Sequence, residues 1–91
     1  MGLVSKRWKA RVLDVLSRGT LRYGDLKDAL SGVSDKVLSA ALDELTRDGL
    51  ISRTAFAEIP PRVEYALTPQ GEGLLAAMEP LRQWAERENG R

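Results

Sequence analysis

The sequence predicts a mainly α-helical α+β domain in which three helices and a short strand precede a β-hairpin, and a long helix closes the chain. Three observations predict it. Leu38, Leu42 and Leu45 recur at helical spacing with Ala41 at their edge, the apolar stripe of an amphipathic helix. Two β-favouring runs, Ile51 to Ala57 and Val63 to Leu67, flank Glu58-Ile59-Pro60-Pro61-Arg62. Prolines cannot donate to a sheet ladder, so that segment belongs in a projecting loop between paired strands. Thr68-Pro69 then reads as an N-cap followed by a first-turn proline, opening a last helix to about Glu88.

The remaining elements follow in order. Ser5 caps a first helix running to about Ser17, with Trp8, Val12, Leu13, Val15 and Leu16 as its apolar positions, and Arg18-Gly19 stops it. Leu21-Arg22-Tyr23 is a strand fragment leading into a second helix, about Gly24 to Leu30, whose inward stripe is Leu26, Ala29 and Leu30. Ser31-Gly32-Val33 is the turn. Ser34 is the N-cap of the third helix, Asp35 suits its positive start, and Asp48-Gly49 ends it. Helix, short strand, helix, helix, hairpin, helix is the plan of a winged helix-turn-helix: one domain over residues 1–91, with the helix-turn-helix at about 24–48 and a two- to three-stranded wing sheet at about 51–67.

Composition narrows the function. The 91 residues contain neither cysteine nor histidine, which removes disulfides, thiolate chemistry, Cys-based zinc sites and the commonest general base. Asp43, Glu44 and Asp48 share a helix but do not converge on one face, and no Gly-rich phosphate loop, metal-ligand spacing or activated serine appears. The expectation is no enzyme, no cofactor and no metal. No apolar run approaches the roughly 18 residues of a membrane span, and Met1 to Lys9 lacks the apolar core of a signal peptide, so a cytoplasmic protein with no membrane partner is expected. A net charge of +1 conceals an asymmetry. Residues 1–24 carry Lys6, Arg7, Lys9, Arg11, Arg18 and Arg22 against Asp14 alone, whereas residues 25–50 are net acidic. Such asymmetry can mark a nucleic-acid face, although this chain is no strong polyelectrolyte.

Several stretches resemble the HxlR-type family of bacterial winged helix-turn-helix regulators: Leu21-Arg22-Tyr23-Gly24-Asp25-Leu26, Val33-Ser34-Asp35-Lys36-Val37-Leu38, Leu42-Asp43-Glu44-Leu45, Asp48-Gly49-Leu50-Ile51, Pro60-Pro61-Arg62-Val63-Glu64-Tyr65 and Leu67-Thr68-Pro69-Gln70-Gly71. Their order and spacing match from about Lys6 to Trp84, and the Pro-Pro-Arg-Val-Glu-Tyr stretch is the most specific. The resemblance implies a homodimeric transcriptional regulator that binds double-stranded DNA. It implies that the third helix enters the major groove, that the wing reaches the adjacent backbone or minor groove, and that the first and last helices (about 5–17 and 68–88) form the dimer contact. Two departures stand out. Many members carry an N-terminal cysteine that some use to sense electrophiles or oxidants, which this chain cannot do. The recognition helix is also usually more basic than one presenting Ala40 and Asp43. A small-molecule effector stays open, with no residue cluster nominating its pocket.

The residues expected at DNA are Ser34, Lys36, Ser39, Ala40, Asp43, Arg47, Arg53 and Arg62. At about 100° per residue, Lys36, Ser39, Ala40, Asp43 and Arg47 point away from the apolar stripe of the third helix. Early residues of such a helix meet base edges while flanking groups hold phosphates, so Lys36 and Ser39 are the base-reading candidates. Asp43 would repel phosphates unless it accepts from a cytosine amino group or pairs with Arg47 one turn on. Arg62 follows the two prolines, where a rigid loop could present its guanidinium. Arg53 either touches phosphate or pairs with Glu64 across the strands. Tyr23 is either a phosphate-side group or a core ring. Lys6, Arg7, Lys9 and Arg11 either contact flanking phosphates or form a solvated face. For the dimer interface the candidates are Leu3, Val4, Trp8, Met78, Leu81 and Trp84, since large aromatics are enriched at interface cores. The rival expectation is a winged-helix protein–protein interaction module without DNA binding, suggested by the acidic middle segment; fold alone does not decide between them.

Overall fold

A computed structural model describes the backbone of residues 2–89 and the side chains of residues 6–89. Four helices and one antiparallel sheet follow the expected order: α1 (Gly2–Leu16), β1 (Leu21–Arg22), α2 (Tyr23–Ala29), α3 (Asp35–Arg47), β2 (Ile51–Phe56), β3 (Arg62–Leu67) and α4 (Pro69–Asn89). The sheet has three strands in the order β1-β3-β2. Leu21 lies opposite Tyr65 on one side of β3, and Ile51 opposite Leu67 on the other.

The core explains this arrangement. Val12, Leu13 and Leu16 of α1, Leu26 of α2, and Leu38, Leu42 and Leu45 of α3 are buried together with Leu30, Val33, Ile51 and Tyr65. Spacings of three and four residues place each helix's leucines on one side, so three helices close over one face of the sheet. No buried side chain among the described residues is polar or charged apart from the Tyr65 phenol.

Element boundaries are set by local chemistry. Ser34 accepts a hydrogen bond from the Val37 N–H at 3.1 Å, the expected cap of α3. Gly49, just past its end, has φ +79°, a left-handed conformation that favours glycine. The Thr68 hydroxyl accepts from the Gly71 N–H at 3.0 Å and donates to the Gly49 carbonyl at 2.7 Å, tying the start of α4 to the end of α3. Two expectations shift. Ser5 lies inside α1 instead of capping it, because Leu3 and Val4 continue a helical run that nothing in the sequence interrupts. Tyr23 opens α2 instead of ending β1, since Arg22 is already extended as the N-cap residue and its N–H donates to the Asp25 carboxylate at 3.3 Å.

Candidate nucleic-acid interface

Burial of Leu38, Ala41, Leu42 and Leu45 fixes the rotation of α3, and with it the residues offered to solvent. Lys36, Ser39, Ala40, Asp43 and Arg47 are all exposed, as the helical period requires. They form a stripe beginning at the capped end of the helix. Ser34 spends its hydroxyl as an acceptor in the cap. Asp43 and Arg47, one turn apart, form no ion pair among the described residues.

At the leading edge of that stripe sits a polar cluster missed from the sequence. Asp35, the first residue of α3, accepts from the Tyr23 hydroxyl at 2.8 Å and from the Lys27 ammonium at 2.8 Å, both on α2. Hydrogen bonding from Lys27, then from Tyr23, holds the Asp35 carboxyl below its ordinary range. The same bond raises the Lys27 ammonium. Tyr23 is half-buried, its ring packed against the core, as one of its two readings expects, and its hydroxyl on the outside. The signal available in sequence was weak: Tyr23 and Lys27 lie one helical turn apart, but nothing local pointed across the turn to Asp35.

The wing differs from expectation. Arg62 is the first residue of β3 rather than part of the loop tip. Its guanidinium lies over the Phe56 ring, 4.0 Å from the centroid, and pairs with Glu58 at 3.1 Å and Glu64 at 3.5 Å. A cation between two carboxylates and above an aromatic face is held back against the hairpin. Arg53 does not face Glu64: it sits opposite Tyr65, while Thr54 faces Glu64. Register decides this, because a shift of one residue reverses a side chain's face. Arg53 is exposed and, with Lys36 and Arg47, has no acidic partner among the described residues.

The proposed dimer residues divide. Leu81 is 66% exposed and Trp84 54% exposed on α4, and Met78 is half-buried on the same helix. Trp8 is half-buried against its own core, with the Arg11 guanidinium 5.1 Å from its ring centroid. The side chains of Leu3 and Val4 lie outside the described residues. Between α1 and α4 runs a cleft of about 330 Å³ lined by Ala10, Asp14, Leu75, Met78, Leu81 and Arg82. Of the basic residues of α1, Lys9 is paired with Glu44 on α3, while Lys6, Arg7 and Arg11 are exposed. No helix among the described residues is long and apolar enough to cross a membrane.

Comparison with known proteins places this geometry in context. The family model described as HxlR-like helix-turn-helix matches residues 3–91. The chain is 41% identical over 83 residues to YtfH of Escherichia coli K12, an uncharacterised HTH-type transcriptional regulator, covering 91% of this chain and 66% of YtfH. It is 37% identical over 91 residues to YdzF of Bacillus subtilis, another uncharacterised HTH-type transcriptional regulator, covering 99% of this chain and 84% of YdzF. Among solved structures, the reduced form of the Bacillus subtilis transcriptional regulator YodB superposes with a TM-score of 0.83 at 30% identity, covering 93% of this chain and 83% of YodB. A structure described as a MarR-family transcriptional regulator from Enterococcus faecalis V583 gives a TM-score of 0.84 at 44% identity, covering 91% of this chain and 76% of that one.

Proposed function

The chain belongs to the HxlR-like helix-turn-helix family, and from that premise we propose that it is a cytoplasmic transcriptional regulator that binds double-stranded DNA as a homodimer. The observation that carries this reading is the exposed stripe of α3. Lys36, Ser39 and Ala40 stand together at the capped, solvent-facing start of a helix whose other side is fully committed to the core. In helix-turn-helix recognition the early residues of such a helix reach base edges. Lys36 can donate to guanine, Ser39 to either type of partner, and the Ala40 methyl can meet a thymine methyl. Arg47 and Arg53, exposed and without acidic partners among the described residues, serve as phosphate contacts. Arg62 acts by holding the wing: clamped by Glu58, Glu64 and Phe56, it shields two carboxylates from a nearby phosphate backbone. Dimerisation falls to α4, where Leu74, Leu81 and Trp84 are exposed along one helix and offer an apolar surface to a second copy. Two copies then address half-sites about one helical turn, roughly 34 Å, apart.

The test is fluorescence anisotropy with labelled duplexes, one from upstream of the protein's own gene and one scrambled, at two salt concentrations. Tighter binding to the upstream duplex, saturating at two chains per site, is the expected result. Affinity should fall steeply with salt, because each phosphate contact releases counterions. Failure to bind either duplex at low salt, from folded protein, overturns the reading and favours the winged-helix protein–protein interaction module.

A further inference from the structure

Tyr23 and Lys27 approach from α2 and converge on a single oxygen of Asp35, each at 2.8 Å. A carboxylate oxygen receiving a hydroxyl and an ammonium presents the same demand as a phosphate oxygen: an anionic acceptor with no donor of its own. We propose that Tyr23 and Lys27 form a site for a DNA backbone phosphate, and that the Asp35 carboxylate occupies this site in the free protein. The proposal rests on the DNA-binding reading above and adds a contact and a restraint to it.

Position supports the assignment. Asp35 directly precedes Lys36, the leading residue of the exposed α3 stripe, so a duplex docked on that stripe brings its backbone against the same edge. Accessibility supports it as well. The Asp35 side chain is 71% exposed and that of Lys27 38%, so the pair lies in water, where a phosphate can reach Lys27 once the Asp35 charge is removed. The contrast with Lys9 is informative. Lys9 is likewise paired, with Glu44 between α1 and α3, but farther along the helix, whereas the Lys27 pair sits at the leading end of the stripe. An aspartate is ionised throughout the neutral range, and hydrogen bonding from Lys27 and Tyr23 lowers Asp35 further, so the competition does not depend on a proton. A carboxylate at this position cancels the Lys27 charge and lowers affinity for every duplex alike, since backbone contacts carry no sequence information.

The experiment compares four chains, wild type, Asp35→Asn, Lys27→Gln and the double variant, on cognate and scrambled duplexes across a salt series. Asparagine keeps the shape of the side chain and removes its charge. Asp35→Asn should bind both duplexes several-fold more tightly at low salt. The slope of log affinity against log salt should steepen by about 0.9, the value for one added phosphate contact. That slope means the gain shrinks roughly three-fold between about 50 and 200 mM salt. Lys27→Gln alone should weaken binding to both duplexes, because it leaves the Asp35 carboxylate uncompensated beside the backbone, and the double variant should bind no more tightly than wild type. Tyr23→Phe in the Asp35→Asn background should remove part of it. A gain in affinity cannot come from misfolding, and a missing gain counts only for a variant whose unfolding midpoint shows it folded at the assay temperature. If wild type binds DNA and Asp35→Asn binds no better, the latent site is wrong and the DNA-binding reading stands. If the gain survives Lys27→Gln, Asp35 acts through its own charge alone and the site is again wrong. If wild-type protein binds neither duplex at low salt, both readings fail together.

Discussion

Helices α3 and α4 use apolar residues in opposite ways. In 13 residues α3 buries Leu38, Ala41, Leu42 and Leu45. In 21 residues α4 buries only Gly71, while Leu74, Leu81 and Trp84 remain exposed. Both are held at their first turns: Ser34 caps α3, and Thr68 caps α4 while bonding to Gly49. Beyond that turn, α4 rests on the body through Leu75 and then runs on through Pro80, which removes one donor from its own ladder. Helical stability in proteins comes mainly from packing an apolar face rather than from propensity. The difference supports the proposal that α3 serves the protomer while the distal part of α4 serves a contact between copies.

The largest effect expected from this comparison is in α3. Leu42→Ala removes a side chain that is 2% exposed and should destabilise the protomer by about 2–5 kcal/mol, through lost transfer energy plus the cavity left behind. Leu81→Ala at high dilution should cost the protomer almost nothing. Urea unfolding of both variants at low protein concentration checks this. Equal losses would break the contrast, because α4 would then be as integrated as α3.

Within α4 the next effect separates anchored from free turns. A Cβ placed on Gly71 would lie 2.1 Å from the Leu50 carbonyl oxygen, whereas one on Gly73 meets nothing within 4 Å. Gly71→Ala must push two backbones apart and should cost about 1–3 kcal/mol, toward the upper end because backbone yields less than a side chain. Gly73→Ala should stabilise by about 0.5–1 kcal/mol, the helical preference of alanine over glycine. Thermal unfolding of the pair reads both signs, and a tolerated Gly71→Ala would mean that the α4 joint is loose.

These two glycines also show where sequence reading stops. The three inner helices, the caps at Ser34 and Thr68 and the hairpin were legible because each is written locally: leucines at helical spacing, a hydroxyl before a helix start, Gly49 after an end, prolines between strand runs. The cap expected at Ser5 and the inward place expected for Ala29 were not, since α1 runs on past Ser5 and Ala29 is exposed. The outward stripe of α3 was legible for the same reason, as the complement of its buried face. What was not legible depends on pairs distant in sequence. The place of Arg53 opposite Tyr65 instead of Glu64 is a matter of register, which hydrophobic alternation does not set when most of β2 is exposed. The capture of Lys27 by Asp35 and the folding of Arg62 onto Phe56 are likewise tertiary contacts between residues that separately read as free surface charge.

Trp84→Ala sharpens the comparison from the side of assembly. An exposed tryptophan at the centre of an interface is a frequent hot spot, and truncating one costs about 2 kcal/mol or more of association energy, roughly a thirty-fold rise in the dimer dissociation constant. Sedimentation equilibrium measures that constant directly, while unfolding at high dilution should stay close to wild type. A wild-type protein that is monomeric at all concentrations would remove the role assigned to the distal half of α4.

The smallest expected effect is electrostatic and again divides the two helices. Glu44 on α3 pairs with Lys9 on α1, and that hydrogen bond holds its carboxyl below the ordinary 4.5. Glu79 is lowered in the same way, first by Arg82, but its partner is three residues on in the same helix. A carboxyl whose folded value is depressed adds stability that is complete above its unfolded value and disappears as pH falls through the folded one. Both pairs are solvent-exposed and screened, so each contribution is small. Only the Glu44 pair joins two elements of the core, and only its loss should register in global unfolding. Lys9→Met should therefore differ from wild type at pH 6 and converge with it once pH falls well below 4.5. Arg82→Gln should instead leave the global transition unchanged and accelerate amide exchange in the last turns of α4. If Arg82→Gln shifted the global transition as Lys9→Met does, the distal turns of α4 would have to belong to the same cooperative unit as α3.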